Sequence, residues 1–223
     1  VDLILISDTH LSHGLLEIPP CDLLVHAGDW SRHGTREESE DFFAWLGAQP
    51  ARARVLTPGN HDFFAEREPA AARELARRHN ITWLVNEGAD VLGLRVWASP
   101  FSPRHGSWAF QDERGDALRA RYTFPAGLDL LVTHGPPHGV CDRITRGDLV
   151  GCEALLGEVR ARPPKVHVFG HVHESHGEAR LDDLPTLFVN ASSYISTSSL
   201  KPQTLDVRPP RALSLAPRRL APG

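Results

Sequence analysis

Five short segments carry side chains able to hold a metal ion: Asp8-Thr9-His10, Gly28-Asp29, Gly59-Asn60-His61-Asp62, His134-Gly135 and Gly170-His171-Val172-His173. Each follows an apolar run, and the chain holds 13 His in 223 residues, imidazole being the commonest side-chain metal ligand. The donors on offer are carboxylate oxygen, amide oxygen and imidazole nitrogen, with no thiolate. That set suits Mn, Fe, Zn or Co and suits calcium poorly. One such segment alone commonly marks a turn or a capped strand end. Five in register after five apolar runs imply one shared site, and the neighbouring glycines let the backbone turn tightly beside it.

The elements that must position these groups are short. Strands are expected at Asp2 to Ser7, Leu23 to His26, Arg54 to Thr57, Ile81 to Val85, Leu94 to Ala98, Leu128 to Thr133, Val166 to Phe169 and Thr186 to Val189, several as near-continuous apolar runs of the kind buried on both faces. Helices are expected over Glu37 to Gly47 with Thr35 as cap, over residues 69 to 79 with Pro69 in the first turn, and over Cys152 to Arg162. This alternation predicts an α/β chain, and in open α/β sheets ligands bind outside the carboxyl ends of the strands, where all five segments fall. Ser99 to Arg121 is long, aromatic and rich in Pro, Gly and Arg, and reads as a structured functional loop. His26 and His167 lie inside strands and are expected in the core or behind the ligands. His79 is expected to end a helix and His176 to lie in a loop.

A hydrophobic fraction of 41% with 23% charged residues excludes collagen-like, coiled-coil and generally disordered chains. The length admits one large domain or two small ones, and one core is expected over 1–208, followed by a Pro/Arg-rich tail over 209–223. A formal net charge of −4 argues against coating nucleic acid or an anionic membrane through bulk electrostatics. Leu3 to Ile6 is far too short for a signal core or a membrane span, so a cytoplasmic protein without a membrane partner is expected. Cys21, Cys141 and Cys152 form neither a disulfide framework nor a CxxC pair and read as ordinary thiols.

In this order and spacing the segments resemble the calcineurin-like metallophosphoesterases, whose signature runs D-x-H, G-D, G-N-H-[DE], H and G-H-x-H. The resemblance spans roughly residues 2 to 207. Ser99-Pro100, Trp108-Ala109-Phe110, Thr133-His134-Gly135-Pro136-Pro137, Val150-Gly151-Cys152 and Asn190-Ala191-Ser192 are similar to the small metallophosphoesterase-domain subgroup often linked to cyclic-nucleotide phosphodiesterase activity. The resemblance implies a four-layer α-β-β-α sandwich with a dimetal site at the carboxyl ends of the strands. It implies that Asp8, His10, Asp29 and His173 hold one ion, that Asp29, Asn60, His134 and His171 hold the other, and that Asp29 bridges them. Some subgroup members lack the last histidine of G-H-x-H; His173 is present, so both sites should fill. His61 is implied to serve the leaving group as general acid or charge stabiliser, with Asp8 or Asp62 orienting it.

The function implied is a phosphodiesterase that hydrolyses cyclic nucleotides or other small phosphodiesters through a metal-bridging hydroxide, with two divalent transition-metal ions per chain, Mn leading Fe, Zn and Co. Two divalent ions against two ligand carboxylates leave about +2, reduced to about +1 by a hydroxide, a local attractor for phosphate in a chain of net charge −4. A phosphomonoesterase, a nuclease acting on single strands and a catalytically dead binding subunit are the alternatives, so nucleic acid enters only as substrate. Arg32, Arg104, Trp108 and Arg143, with His33, His105 and His138, lie in loops near the motifs and are candidates to hold a phosphate or nucleobase. The sequence leaves the oligomeric state open.

Overall fold

Residues 2–6 read DLILI, apolar on both faces of a strand. Leu3 and Leu5 enter one core cluster while Ile4 and Ile6 enter another. A strand buried on both faces is not held in register by hydrophobicity alone, because a one-residue slip exchanges one apolar set for another. Register is fixed instead by backbone bonds that run past the strand ends: Ala27 N–H donates to Ile6 C=O at 2.9 Å, Asp8 N–H to Gly28 C=O at 2.9 Å and His10 N–H to Asp29 C=O at 3.1 Å. The loops that carry the chemistry therefore also lock the sheet.

The computed structural model describes residues 1–193 and the backbone of Gln203–Asp206; the expected tail over 209–223 lies outside the described residues. In chain order the elements are β1 (Asp2–Ile6), β2 (Cys21–His26), α1 (Arg36–Ala48), β3 (Ala51–Leu56), α2 (Phe63–Arg67), α3 (Pro69–Arg78), β4 (Thr82–Trp83), β5 (Glu87–Val91), β6 (Leu94–Ser99), β7 (Ser102–Pro103), β8 (Gln111–Asp112), α4 (Asp116–Arg119), β9 (Leu130–Thr133), α5 (Glu153–Ala161), β10 (Val166–Phe169), β11 (Gly177–Arg180), β12 (Leu187–Asn190) and β13 (Gln203–Asp206). One sheet has the order β13-β1-β2-β3-β4, the other β11-β12-β10-β9-β6-β5, and β7 and β8 form a small ribbon. Strands β1 to β4 run parallel, as do β6, β9, β10 and β12, while β13, β5 and β11 are antiparallel edges.

The inner faces of the two sheets meet through Leu23, Val25 and Val55 on one side and Val96, Val132, Val168 and Val189 on the other. The outer face of the first sheet packs Leu24 and Leu56 under Phe42, Phe43 and Leu46 of α1 and Ala72 and Ala76 of α3. The outer face of the second packs Trp97, Leu131, Phe169 and Phe188 under Leu155 and Val159 of α5. The layers are helix, sheet, sheet, helix, the expected α-β-β-α sandwich. Helix α1 starts with a capping box in which Thr35 accepts from Glu38 N–H, and α3 starts with Pro69. Among the described residues no helix is long and apolar enough to cross a membrane.

The strand expected over Ile81 to Val85 is shorter, since β4 pairs only through Thr82 and Trp83 before Asn86, at φ 51°, turns the chain toward the second sheet. Strand β5 is an addition to the expected set, because its sequence EGADV has little apolarity. It is held by a two-residue hairpin in which Leu92 (φ 52°) and Gly93 (φ 80°) are both left-handed.

Candidate metal centre

All five segments leave the carboxyl ends of parallel strands, β1, β2, β3, β9 and β10, and so reach the same end of the sandwich. The backbone there is unusual. Asp8, His10, Asp29 and His171 have φ of 53°, 41°, 60° and 69°, a region that costs non-glycine residues roughly 1–3 kcal/mol each and persists only where surrounding contacts enforce it. The enforcing contacts are visible. Asp8 accepts from the His171 N–H at 2.9 Å, and Asp29 from the His61 N–H at 2.8 Å, so each of these carboxylates ties its own loop to another.

The donor atoms converge in overlapping groups, Asp8 with His10 and His173, His10 with Asp29 and His61, and Asp29 with His134 and His171, each group lying within 4.8 Å. Asp29 is common to the last two, as a bridging carboxylate must be. Its Oδ2 lies 3.4 Å from His134 Nε2 and 3.9 Å from His10 Nε2. His173 Nε2 stands 3.4 Å from Asp8 Oδ1 and 3.3 Å from His10 Nε2. Asn60 Oδ1 joins through His134 Nε2 at 2.8 Å. The tautomers follow from the acceptors behind the rings: His10 Nδ1–H donates to Ser31 C=O and His134 Nδ1–H to Ala27 C=O, both at 3.0 Å. A carbonyl can only accept, so each ring turns Nε2 toward the centre.

The electrostatics suit cations. Burial works to raise Asp8, but the hydrogen bond and charge of His173, with His134 and His10 beyond, hold it well below the usual carboxylate range. Burial likewise opposes ionisation of Asp29, and His134 overcomes it. Burial disfavours a charged His134, yet Asp29 drives it up to about 9, so a positive charge belongs between Asp29 and Asn60. His171, by contrast, is pushed down to about 3 by burial and by His134. A divalent ion beside Asp29 would replace the His134 proton, and the oxygen and nitrogen donors fit a borderline transition ion. The three cysteines are free thiols outside these groups.

The expectation that Asp62 orients His61 is not met; the structure gives this carboxylate other work. It is fully buried and receives four hydrogen bonds, from Asp29 N–H (2.8 Å), Gly59 N–H (2.7 Å), Ser31 N–H (3.2 Å) and Ser31 O–H (2.8 Å). Burial and the Asp29 charge push it up to about 8, while four received bonds favour its ionised form. Asp62 thereby clamps the loop bearing Asp29 to the loop bearing Asn60. Asp8 is also turned away from His61, toward His171 N–H. What His61 has instead is the Arg32 C=O, 3.1 Å from its Nδ1. Two glycines are required by close approach: a Cβ at Gly59 would run into the Asp29 carboxylate, and one at Gly170 into Asp8 and the Ser7 hydroxyl.

The remaining candidates divide. Arg32 donates from Nε to His10 C=O at 3.0 Å and lines, with His10, His61 and His173, a mouth of about 310 Å³. Trp108 lies over His61 with ring centroids 4.3 Å apart, and its loop is pinned by Ala109 N–H to Asn60 C=O at 3.0 Å. His105 stands 5.0 Å from the His171 ring, and Arg104 lines a neighbouring cavity. Arg143 is not brought to the mouth, its guanidinium donating at 2.7 Å to Gly147 C=O within its own loop. His33 pairs with Glu38, and His138 lies 3.8 Å from both Asp142 and Glu153. His26 and His167 are buried against the hydroxyls of Thr9 and Thr133, each of which precedes a candidate ligand histidine in the chain. Sequence reasoning gave no role to Ser31, whose carbonyl sets His10 and whose hydroxyl engages Asp62; only its place two residues after Asp29 could have signalled it. Asn190, noted within a motif, donates to Val172 C=O at 2.8 Å and so braces the His171–His173 loop.

The family model described as calcineurin-like phosphoesterase matches residues 3–175. The chain is 32% identical over 234 residues to the human metallophosphoesterase domain-containing protein 1, covering 94% of this chain and 69% of that protein. It is 34% identical to a UPF0046 protein of Caenorhabditis elegans, covering 86% of this chain and 75% of that one. Among solved structures it is similar to TT1561 of Thermus thermophilus, with a TM-score of 0.61 at 13% identity over 93% of this chain and 99% of that chain, a likeness of fold.

Proposed function

We propose that this chain, which belongs to the calcineurin-like phosphoesterase family, is a phosphodiesterase acting on cyclic nucleotides or other small phosphodiesters with two transition-metal ions, Mn first among them. Membership makes it a metal-dependent phosphoester hydrolase; the diester preference and the metal are the added reading. The observation that carries it is Asp29, buried between the His10 side and the His134–His171 side of one donor cluster. Asp8, His10, Asp29 and His173 would hold one ion, and Asp29, Asn60, His134 and His171 the other. When bound, the two ions supply a water nucleophile activated near neutral pH and offset the charge that builds on phosphoryl oxygens.

The chain's own residues do the rest. Arg32 C=O fixes the His61 Nδ1–H, so His61 Nε2 is the nitrogen left for the departing oxygen, and it is the imidazolium form that gives its Nε2 proton there and is left neutral with Nδ1–H. Arg32 places its outer guanidinium nitrogens at the mouth, where a phosphoryl oxygen accepts from them. Trp108, 37% exposed and lying over His61, offers an aromatic face to the leaving group. One arginine and one aromatic wall suit a monoanionic diester with a nucleoside-like substituent better than a dianionic monoester. Three free thiols support a cytoplasmic setting. Steady-state hydrolysis of bis(p-nitrophenyl) phosphate against p-nitrophenyl phosphate, and of cyclic AMP against AMP, under saturating Mn²⁺ tests the reading. The diester of each pair should have the higher kcat/KM, and a clear monoester preference would replace this reading with a phosphatase.

A further inference from the structure

On the His171 side of the centre lies a second cavity of about 470 Å³, between the segments 103–105, 144–150 and 171–174. His171 is the wall it shares with the candidate metal centre, and the His105 ring stands 5.0 Å from it. Arg104, Arg114 and Arg146 reach it from three loops, Ile144 and Val172 add apolar surface, and Glu174 is its one acid among the described residues. Glu174 is turned to the Thr145 hydroxyl, which donates to it at 2.9 Å.

The three arginines are not equivalent. Arg114 is committed to the Gly151 and Val150 carbonyls, both at 2.8 Å, and to Glu153, so it forms part of the wall. Arg104 engages Glu113 through Nε only, and Arg146 stands 3.9 Å from Asp148 with a side chain 84% exposed. Exposed pairs of this kind are screened and weak, whereas a guanidinium takes a phosphate through two parallel hydrogen bonds. Arg104 and Arg146 can therefore exchange their carboxylates for a phosphate, and the volume lies within the ~300–1,000 Å³ range of small-molecule sites.

We propose that this cavity is a subsite for a second phosphoryl group on the substrate, so that preferred ligands are nucleotide-sized phosphoesters with a phosphate at each end. The inference rests on the phosphoesterase reading of the adjoining centre. The test measures, by calorimetry on the Mn²⁺-loaded full chain, the affinity for thymidine 3′,5′-bisphosphate against thymidine 5′-phosphate. The bisphosphate should bind about tenfold or more tightly, as one charge-assisted contact pair provides. Arg146→Gln and Arg104→Gln should each bring that ratio toward one, while Arg160→Gln, which removes the same charge from the C-terminal end of α5, where it pairs with Asp183 and does not line the cavity, should leave it high. A wild-type ratio near one, or an equal fall in Arg160→Gln, would overturn the subsite. Because binding is read without turnover, failure of the centre's own reading shows separately, as absent hydrolysis of bis(p-nitrophenyl) phosphate.

Discussion

Asp62 bears no part in the expected ligand set, yet the structure makes it the residue whose replacement should most loosen the site without removing a ligand. Its Oδ2 receives Asp29 N–H and Gly59 N–H and its Oδ1 receives both groups of Ser31. Asp62→Asn keeps the volume but turns an NH₂ toward one of these pairs: toward Asp29 and Gly59 it orphans two N–H donors, whereas toward Ser31 it orphans only the N–H, because the hydroxyl accepts from the NH₂ and donates instead to His61 C=O, 3.0 Å away. The second orientation is the cheaper, and at roughly 1–3 kcal/mol for an orphaned buried donor the loss is about 2 kcal/mol. For a chain of this size that corresponds to a fall in Tm of about 4–8 °C. The Asp29 loop is released in the same step, so Mn²⁺ should raise the Tm of the variant less than that of the wild type. Thermal unfolding followed by circular dichroism, with chelator and with Mn²⁺, reads both effects. A Tm within about 2 °C of wild type, with an unchanged shift on adding Mn²⁺, would refute the clamp.

Burial pushes His167 down to about 3, below the roughly 6.5 of an unfolded histidine. The unfolded chain therefore takes the proton first, and the stability this residue contributes is full above pH ~6.5 and lost as pH falls toward 3, about 2 kcal/mol of it by pH 5. His167→Gln should show a correspondingly smaller drop in urea stability between pH 7 and pH 5, and an identical drop would contradict the reasoning. His61→Ala should keep both ions while hydrolysis of an alkoxide-leaving diester falls on the order of 10² to 10⁴, with a much smaller loss for a nitrophenolate. Since His61 also lies within ligand range of His10 and Asp29, a lost ion or equal losses on both substrates would make it a ligand.

The central strands and the ligand loops were legible because both are written in residue type: apolar runs that must be buried, followed by Asp, Asn, His and Gly where strands end. The polar edges were not. Strands β5 and β11, EGADV and GEAR, carry few apolar residues, Ala89 and Val91 reaching the inter-sheet core and Ala179 the outer one, and are placed by ladder bonds to β6 and β12. Within the site, the sequence named candidate ligands that the fold brings together but misassigned the support around them. Asp62 follows His61 directly and suggested a partner for it, yet the turn after Asn60 aims the carboxylate inward at Asp29 and Ser31, and a backbone carbonyl, invisible to residue type, holds His61. Arg143 failed for the converse reason: proximity in sequence to the motifs says nothing of a guanidinium that bonds its own loop.

A dinuclear centre is defined by the number of ions the chain holds. Elemental analysis of folded protein, reconstituted with Mn²⁺ and freed of excess metal, should find two ions per chain. His173→Ala and His171→Ala should each leave one, and Asp29→Ala, which withdraws the shared carboxylate, should leave fewer than either. A folded wild type that takes up no more than one ion, or an Asp29→Ala variant that retains two, would contradict the dinuclear centre.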